Sequence, residues 1–163
     1  MTVAYVDAAE TRFYLDTMIP YALLRGTNVT AQTLFRSIEA GALTAYTSIL
    51  TFDELVYRLV LALIRDNLPG SPLDHLRQDE RTMLARFGPA VSTQLRRLAS
   101  FPNLHLVPVW VEDVGAMMDA MDQYQLRPRD SLHLAAMQRV GCFSLLSHDA
   151  HFDAVRHIRR YTL

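Results

Sequence analysis

Short apolar runs alternate along the chain with longer segments of helical periodicity. The apolar runs predict strands at 12–15, 43–47, 103–109, 143–147 and 158–163. Apolar residues at i, i+3 and i+4 spacing predict helices at about 18–25, 30–40, 48–67, 111–124, 129–140 and 150–156. Strands that alternate with helices are typical of a mostly parallel sheet. We therefore predict an α/β fold with a central sheet of about four to five strands, flanked by helices on both faces.

Residues 72–99 differ from this pattern because they are polar and rich in arginine. They predict one or two helices interrupted near Gly88-Pro89, since both residues disfavour a helix interior. We interpret 66–100 as a helical elaboration of the fold, either an arm that binds a partner or an ordinary hairpin that covers the sheet. The sequence shows no internal repeat and no clear boundary, so we expect a single domain over 1–163.

The chain has 163 residues, of which 50% are hydrophobic, and this is enough for a full core. Its longest apolar run, residues 59–64, is far shorter than the ~18 residues that a membrane-spanning helix needs. The opening residues lack the basic and apolar regions of a signal peptide. The one cysteine, Cys142, permits no intrachain disulfide. We therefore expect a cytoplasmic protein without membrane contact.

The basic residues are unusual because all 16 of them are arginines, in a chain of formal net charge −1. The absence of lysine excludes a P-loop lysine, a Schiff-base lysine and a pyridoxal phosphate anchor. Genomic base composition explains an arginine bias as well as a functional cause does. Guanidinium groups bind phosphates well where several share a face. With a net charge near zero, nucleic-acid binding would depend on such a local patch.

Four carboxylates stand in four separate segments, and each has an ordinary explanation. Asp16 and Asp149 follow apolar runs and precede helices, where they would serve as N-caps. Asp130 lies in the first turn of its predicted helix, where the helix dipole favours an acid. Glu54 lies within a helix and could pair with Arg58 at i, i+4. These explanations account for each position, but not for the combination.

The combination predicts a metal site at one edge of the sheet. In open α/β sheets the functional crevice lies outside the carboxyl ends of the strands, where Asp16 and Asp149 fall. Asp130 opens the helix that leads into the strand before Asp149, and Glu54 follows another strand. Carboxylates gathered there repel one another unless a cation lies between them. An all-oxygen site suits Mg²⁺ or Mn²⁺.

The four acidic segments also carry a family resemblance. The segments LDTMIPYAL, TSILTFDELVY, RPRDSLHLAAM and LLSHDAHFD resemble the four acidic motifs of PIN-domain proteins, in order and with suitable spacing. Within that superfamily the chain is most similar to the VapC-type ribonuclease toxins of toxin–antitoxin pairs. The resemblance runs from about residue 12 to 163 and implies a PIN-like fold. By this match Asp16, Glu54, Asp130 and Asp149 correspond to the family's acidic metal-binding residues.

Some positions beside the motifs match less regularly. Asp153 corresponds to an acid sometimes found after the fourth motif. Thr17 and Ser147 correspond to hydroxyl positions beside the first and fourth acids. Met18 departs from the family, whose first motif commonly reads Asp-Thr-Asn, and 66–100 is longer than in compact members. These departures leave the carboxylates intact and affect the expected substrate and partner contacts.

The resemblance implies a Mg²⁺- or Mn²⁺-dependent endoribonuclease that hydrolyses RNA phosphodiester bonds. Asp16, Asp130 and Asp149 would hold the metal, and Glu54 would hold a second metal or orient the attacking water. The resemblance also implies a cognate antitoxin protein, and we expect a homodimer. Residues 59–64 and 66–100 are the expected surfaces for homodimer or antitoxin contact, although an apolar helix segment is more often core.

Arginines and histidines beside the acids have two interpretations each. Arg25, Arg127 and Arg129 could contact RNA phosphates or only offset the carboxylates. His133 and the two histidines that flank Asp149 suggest surface or phosphate-contacting groups more than zinc ligands, because carboxylate-rich surroundings favour hard metals.

Missing motifs narrow the alternatives. A haloacid-dehalogenase phosphatase needs Asp-x-Asp, whereas this chain reads Asp16-Thr17-Met18. No G-x-G-x-x-G or G-x-S-x-G motif occurs. A catalytically silent PIN-fold protein that binds RNA or serves as a scaffold stays open, and tRNA, ribosomal RNA and messenger RNA all stay open as substrates.

Overall fold

A computed structural model describes residues 3–163, in which six strands and seven α-helices alternate. The strands are β1 Val3–Ala4, β2 Arg12–Leu15, β3 Thr44–Ser48, β4 Leu104–Val107, β5 Ser144–Leu146 and β6 Arg159–Thr162. The helices are α1 Met18–Arg25, α2 Val29–Glu39, α3 Leu50–Asn67, α4 Pro72–Gln78, α5 Glu80–Ala99, α6 Asp113–Tyr124 and α7 Pro128–Arg139. Short 3₁₀ helices span Tyr5–Asp7 and Ala150–Ala154.

All strand pairs of the sheet are parallel, and the strand order is β1-β6-β5-β2-β3-β4. The predicted α/β fold is therefore confirmed, and the five predicted strands correspond to β2 through β6. The two-residue strand β1 adds a sixth strand beside β6 that the sequence did not predict. Two residues are too short for a period-2 pattern to be recognised.

The two faces of the sheet carry separate cores, because successive side chains of a strand point to opposite faces. Phe13 and Leu15 of β2 are buried in a core that includes residues of α1 through α5. Tyr14, between them, is buried in a second core with residues of α6 and α7. Helices therefore cover both faces of the sheet, as predicted.

Residues 66–100 pack against α3 and add apolar side chains to the first core. The predicted interruption at the Gly-Pro pair is wrong, because α5 runs through it and the break lies at Asp79. Phe87 and Val91 are buried on either side of Pro89, which is exposed. Their packing offsets the roughly 3 kcal/mol that a proline costs inside a helix. Asp79 instead caps α5, and its side chain accepts a hydrogen bond from a main-chain N–H at 3.1 Å.

The apolar run 59–64 belongs to the core. Its fully buried members are Leu59, Val60, Ala62 and Ile64. The expectation that this run contacts a homodimer partner or an antitoxin is therefore wrong for most of its length. Among the helices of residues 3–163, none combines the length and the apolar character needed to cross a membrane.

Candidate metal centre

The first acid is placed by the pairing of β2 with β5. The Asp16 N–H donates to the Leu146 carbonyl at 3.0 Å, so Asp16 and Ser147 follow neighbouring strand ends. The buried Ser147 hydroxyl donates to Asp16 Oδ2 at 2.7 Å and accepts from the Asp149 N–H at 3.0 Å. One hydroxyl therefore fixes the position of the Asp16 carboxylate relative to the Asp149 main chain.

The two predicted N-caps have different outcomes. Asp149 does cap the 3₁₀ helix that follows it, since its Oδ1 accepts from the His151 N–H at 2.9 Å. Burial raises the pKa of Asp149, but hydrogen bonds from the His151 main chain and ring, with the charges of His151 and Arg127, hold the pKa below its usual value. Asp16 does not cap α1, whose N-cap is Thr17, and Asp16 Oδ1 instead accepts from the Thr17 N–H at 2.6 Å.

Glu54 is placed by two threonines, Thr47 of β3 and Thr51 in the first turn of α3. The Thr47 hydroxyl donates to the Leu15 carbonyl at 2.8 Å and lies 2.7 Å from the Thr51 hydroxyl. These contacts join β3, the end of β2 and the first turn of α3. The next turn therefore carries the Glu54 side chain, which is 14% exposed, toward the end of β2.

The expected i, i+4 pair of Glu54 with Arg58 is not formed. Glu54 Oε1 lies 3.5 Å from Arg129 Nη1, and Arg129 Nη2 donates to Asp53 at 2.9 Å. Arg129 comes from α7, so a tertiary contact replaces the local one. Within residues 3–163, Arg58 makes no hydrogen bond or ion pair and is exposed beside the acids.

The four predicted acids share one cavity of about 730 Å³. Asp16, Glu54, Asp130 and Asp149 line it together with Thr17, Met18, Tyr57, Arg58, Leu61, Arg127, Pro128 and Arg129. Acids from four chain segments thus meet in one place, and two of the predicted arginines join them. Tyr57, Arg58 and Leu61 were not predicted. Tyr57 and Arg58 are exposed on α3, where the helical pattern indicates only solvent contact, whereas Leu61 is partly buried against the first core.

Two predicted residues lie elsewhere. Asp153 binds Arg160 through both carboxylate oxygens, at 2.7 and 2.8 Å, and does not line the cavity. Arg25 donates to Asp66 at 2.7 Å and does not line the cavity either. Each of these side chains already has a partner of opposite charge.

The acids interact electrostatically. Burial and the charges of Asp149 and Asp16 raise the pKa of Asp130 to about 6, with Arg127 opposing and Glu54 adding to the shift. An Asp130 carboxylate therefore lies in an environment with an excess of negative charge. A divalent cation would relieve this repulsion.

Unpartnered polar atoms concentrate at the same place. In the described part of the chain, the buried side-chain N and O atoms without a hydrogen-bond partner are Thr17 Oγ1, Asp130 Oδ2, Ser131 Oγ and His133 Nε2. Thr17 and Asp130 line the cavity, and the other two follow in α7. An unpartnered carboxylate oxygen beside three more acids is a donor set that suits a hard cation.

The acids are close but not yet arranged as ligands. Among residues 3–163, no three His, Cys, Asp or Glu side chains already converge as the ligands of one ion. Asp16, Glu54 and Asp149 are each engaged, by Ser147, Arg129 and His151 respectively. The residues fit a divalent metal in charge and chemistry, but the site is not preformed.

His133 differs from its predicted exposed position, since it is only 3% exposed. Its Nδ1 lies 3.0 Å from the hydroxyl of Tyr14, and burial is the main reason that its pKa is lowered. Nearly all positions from Ser131 to Met137 in α7 are buried, so helical periodicity gives no signal for the side that faces the sheet.

Comparisons with known proteins assign the chain to a class. The model of the PIN domain family matches residues 13–158, and the chain belongs to this family. VapBC2 from Rickettsia felis, solved with a DNA fragment from its promoter, has a similar fold with TM-score 0.60 and 12% identity, covering 93% of this chain and 98% of that chain. No curated protein matches the sequence.

Two further solved structures have the same fold. Mycobacterium tuberculosis VapC20, described as a Sarcin-Ricin loop cleaving toxin, aligns with TM-score 0.55 and 15% identity, covering 90% of this chain and 98% of that chain. A toxin–antitoxin complex from Klebsiella pneumoniae aligns with TM-score 0.51 and 16% identity, covering 89% of this chain and 93% of that chain. At these identities the likeness shows the fold.

Proposed function

We propose that this chain is a Mg²⁺- or Mn²⁺-dependent endoribonuclease and the toxin of a toxin–antitoxin pair. The observation that carries the proposal is the meeting of Asp16, Glu54, Asp130 and Asp149 in one cavity. Membership of the PIN-domain family supports a nuclease. A structural acid cluster would be neutralised by its own cations, whereas here a carboxylate oxygen of Asp130 has no partner.

The residues have distinct proposed roles. Asp16, Asp130 and Asp149 would hold a metal ion, directly or through water, and Glu54 would hold a second ion or orient the attacking water. A bound divalent metal supplies a lowered pKa for water and stabilisation of charge on the phosphate oxygens. Ser147 keeps the Asp16 carboxylate in place through its 2.7 Å hydrogen bond.

The arginines of the cavity suit the substrate. Arg127 and Arg129 lie beside the acids and would contact RNA phosphates, with Arg58 as a third guanidinium. Water would add to phosphorus as the P–O3′ bond breaks, and the leaving O3′ would take a proton from solvent, which leaves a 5′-phosphate and a 3′-hydroxyl. The proton of the attacking water would pass to a nearby carboxylate or to solvent.

The partners are proposed from the fold neighbours. The three structures described above carry VapBC, VapC or toxin–antitoxin names, which supports a cognate antitoxin and a cytoplasmic location for this chain. We also propose that the whole chain is one domain, with 66–100 as an elaboration, and that it forms a homodimer.

The test is RNA cleavage by purified protein that is free of antitoxin. Cleavage should require Mg²⁺ or Mn²⁺, stop on chelation, and be lost in Asp16→Asn. Asp119→Asn, an exposed acid of α6 outside the cavity, is the matched charge control and should cleave normally. If the folded wild type cleaves no RNA with either metal but still binds it, the silent RNA-binding alternative is favoured.

A further inference from the structure

A second cavity adjoins the acidic one along α3. Its volume is about 300 Å³, and Arg58 and Leu61 line both cavities. Tyr21 and Arg65 line only the second cavity, with Ser71 at the start of α4. The two cavities therefore form one groove, which we call the α3 groove, defined by Tyr57, Arg58, Leu61, Arg65 and Tyr21. It leads from the carboxylates toward α4.

The guanidinium groups of the α3 groove are available for a ligand. Arg58 makes no hydrogen bond or ion pair with any described residue. Arg65 lies 3.8 Å from Asp66, and that acid already accepts a 2.7 Å hydrogen bond from Arg25. Arg58 and Arg65 are seven residues apart on α3, so they lie on the same side, about 10 Å apart along the helix axis.

Aromatic side chains accompany these cations. Tyr57 is 50% exposed beside the carboxylate end of the α3 groove, and Tyr21 is partly buried at the other end. Neither ring packs against another aromatic ring in the described chain. Two guanidinium groups with a tyrosine ring at each end of the groove match the phosphates and bases of an unpaired RNA strand.

We infer that the α3 groove binds the unpaired RNA strand next to the scissile phosphate, with Arg58 and Arg65 on two phosphates and Tyr57 stacked on a base. The inference rests on the proposed function. A strand whose phosphate reaches the acids must leave the cavity on some side. The α3 side is favoured because its cations lack strong protein partners, whereas Arg129 on the α7 side is held by Asp53 and Glu54.

The salt dependence of RNA binding tests this inference. The probe is a labelled mixture of random-sequence, unstructured RNAs of about ten nucleotides, bound in chelator so that they stay intact. For single strands each phosphate contact contributes roughly 0.7 to the slope of log K against log salt. The double variant Arg58→Met, Arg65→Met should therefore reduce the magnitude of this negative slope by about 1.4.

Two further variants sharpen the test. Arg97→Met removes an exposed arginine of α5 outside both cavities, and its slope should equal that of the wild type. Tyr57→Leu should weaken binding roughly tenfold at every salt concentration without changing the slope, because stacking is not ionic.

Each outcome decides the matter. An unchanged slope in the double variant, or an equal fall in Arg97→Met, would overturn the inference. If the wild type binds and cleaves RNA while the double variant keeps its slope but no longer retains a co-expressed antitoxin, the α3 groove is a protein site. If the wild type neither binds nor cleaves RNA, the proposed function itself fails.

Discussion

Asp113 and Asp130 are both acids in the first turn of a helix on the same side of the sheet, yet their surroundings are opposite. Asp113 is 5% exposed and accepts hydrogen bonds from Arg139 and from the Trp110 N–H, both at 2.8 Å. Burial raises its pKa, but these donors and the charge of Arg139 hold it below its usual value. Asp130 has a carboxylate oxygen without a partner and a pKa raised to about 6.

The difference separates a structural acid from a candidate functional one. Arg139 comes from the last turn of α7, and its guanidinium also lies over the Trp110 ring at 4.5 Å. It holds Asp113 where α6 begins. Asp130 opens the same α7 helix, but the charges that act on it are those of three acids and one arginine, Arg127. A divalent cation would balance the charge of such a carboxylate.

The largest expected effect is the loss of cleavage in Asp130→Asn. We expect RNA cleavage to fall at least ~100-fold, because the loss of even an outer partner of a metal ligand typically costs 10–100-fold. Initial rates with Mg²⁺ and with Mn²⁺ measure this. Asp113→Asn should cleave at the wild-type rate per folded molecule, and equal losses in both variants would remove the distinction between the acids.

Asp113→Ala should destabilise the protein, although we expect Asp113 to take no part in cleavage. Removing one partner of a buried ion pair leaves the other uncompensated, and we expect the free energy of unfolding to fall by about 3 kcal/mol. Urea denaturation of the metal-free protein measures the change. A loss below about 0.5 kcal/mol would show that the pair contributes no more than a surface salt bridge.

Asp130 should contribute a loss of stability to the metal-free protein as the pH rises from about 4 to about 6. Asp130 titrates near 3.8 when unfolded and at about 6 when folded, so the unfolded chain releases its proton first and stability falls across this window. The expected loss is about 1 kcal/mol, after allowance for solvent screening at a partly exposed site. Urea midpoints across the pH range, compared with Asp130→Asn, isolate this contribution.

In that comparison Asp130→Asn should lack this component of the pH dependence and be the more stable protein at pH 7. The same component should also disappear from the wild type on addition of Mg²⁺. A variant with an unchanged pH profile would contradict the raised pKa of Asp130.

The smallest expected effect concerns the buried pair of Tyr14 and His133. Tyr14→Phe removes the hydroxyl that lies 3.0 Å from His133 Nδ1 and should lower the free energy of unfolding by about 1 kcal/mol. Denaturation of this variant beside Tyr46→Phe, which also lacks one strand hydroxyl but in a more exposed position, measures the value. Equal losses would mean that burial of the pair adds nothing.

Local signals in the sequence predicted much of the fold. Helix α1 has the predicted bounds, because Gly26 adopts φ 66° and ends it, as a glycine after a helix commonly does. Strands β2 through β5 were found as short, largely apolar runs between turn residues, and β6 was found although it contains two arginines, Arg159 and Arg160. The four acids were recognised from their positions near strand ends and helix starts.

Tertiary contacts account for what the sequence could not show. Glu54 pairs with Arg129 from another helix, although Arg58 lies at the favourable local spacing. Pro89 stays inside α5 because packing on α3 holds the helix on both sides. His133 is buried in a helix that is covered nearly all round, so no periodicity distinguishes it.

Because of the strand order, acids that are made early in synthesis meet their partners only after the later acids have been made. Strands β2 and β5 lie side by side at the centre of the sheet, although most of the chain separates them in sequence. Such long-range pairing forms late in folding. A ribosome that has made Asp16 and Glu54 still has to make Asp130 and Asp149, so a nascent chain holds an incomplete set of acids. The molecule therefore gains its full negative centre only after Asp149 has been translated.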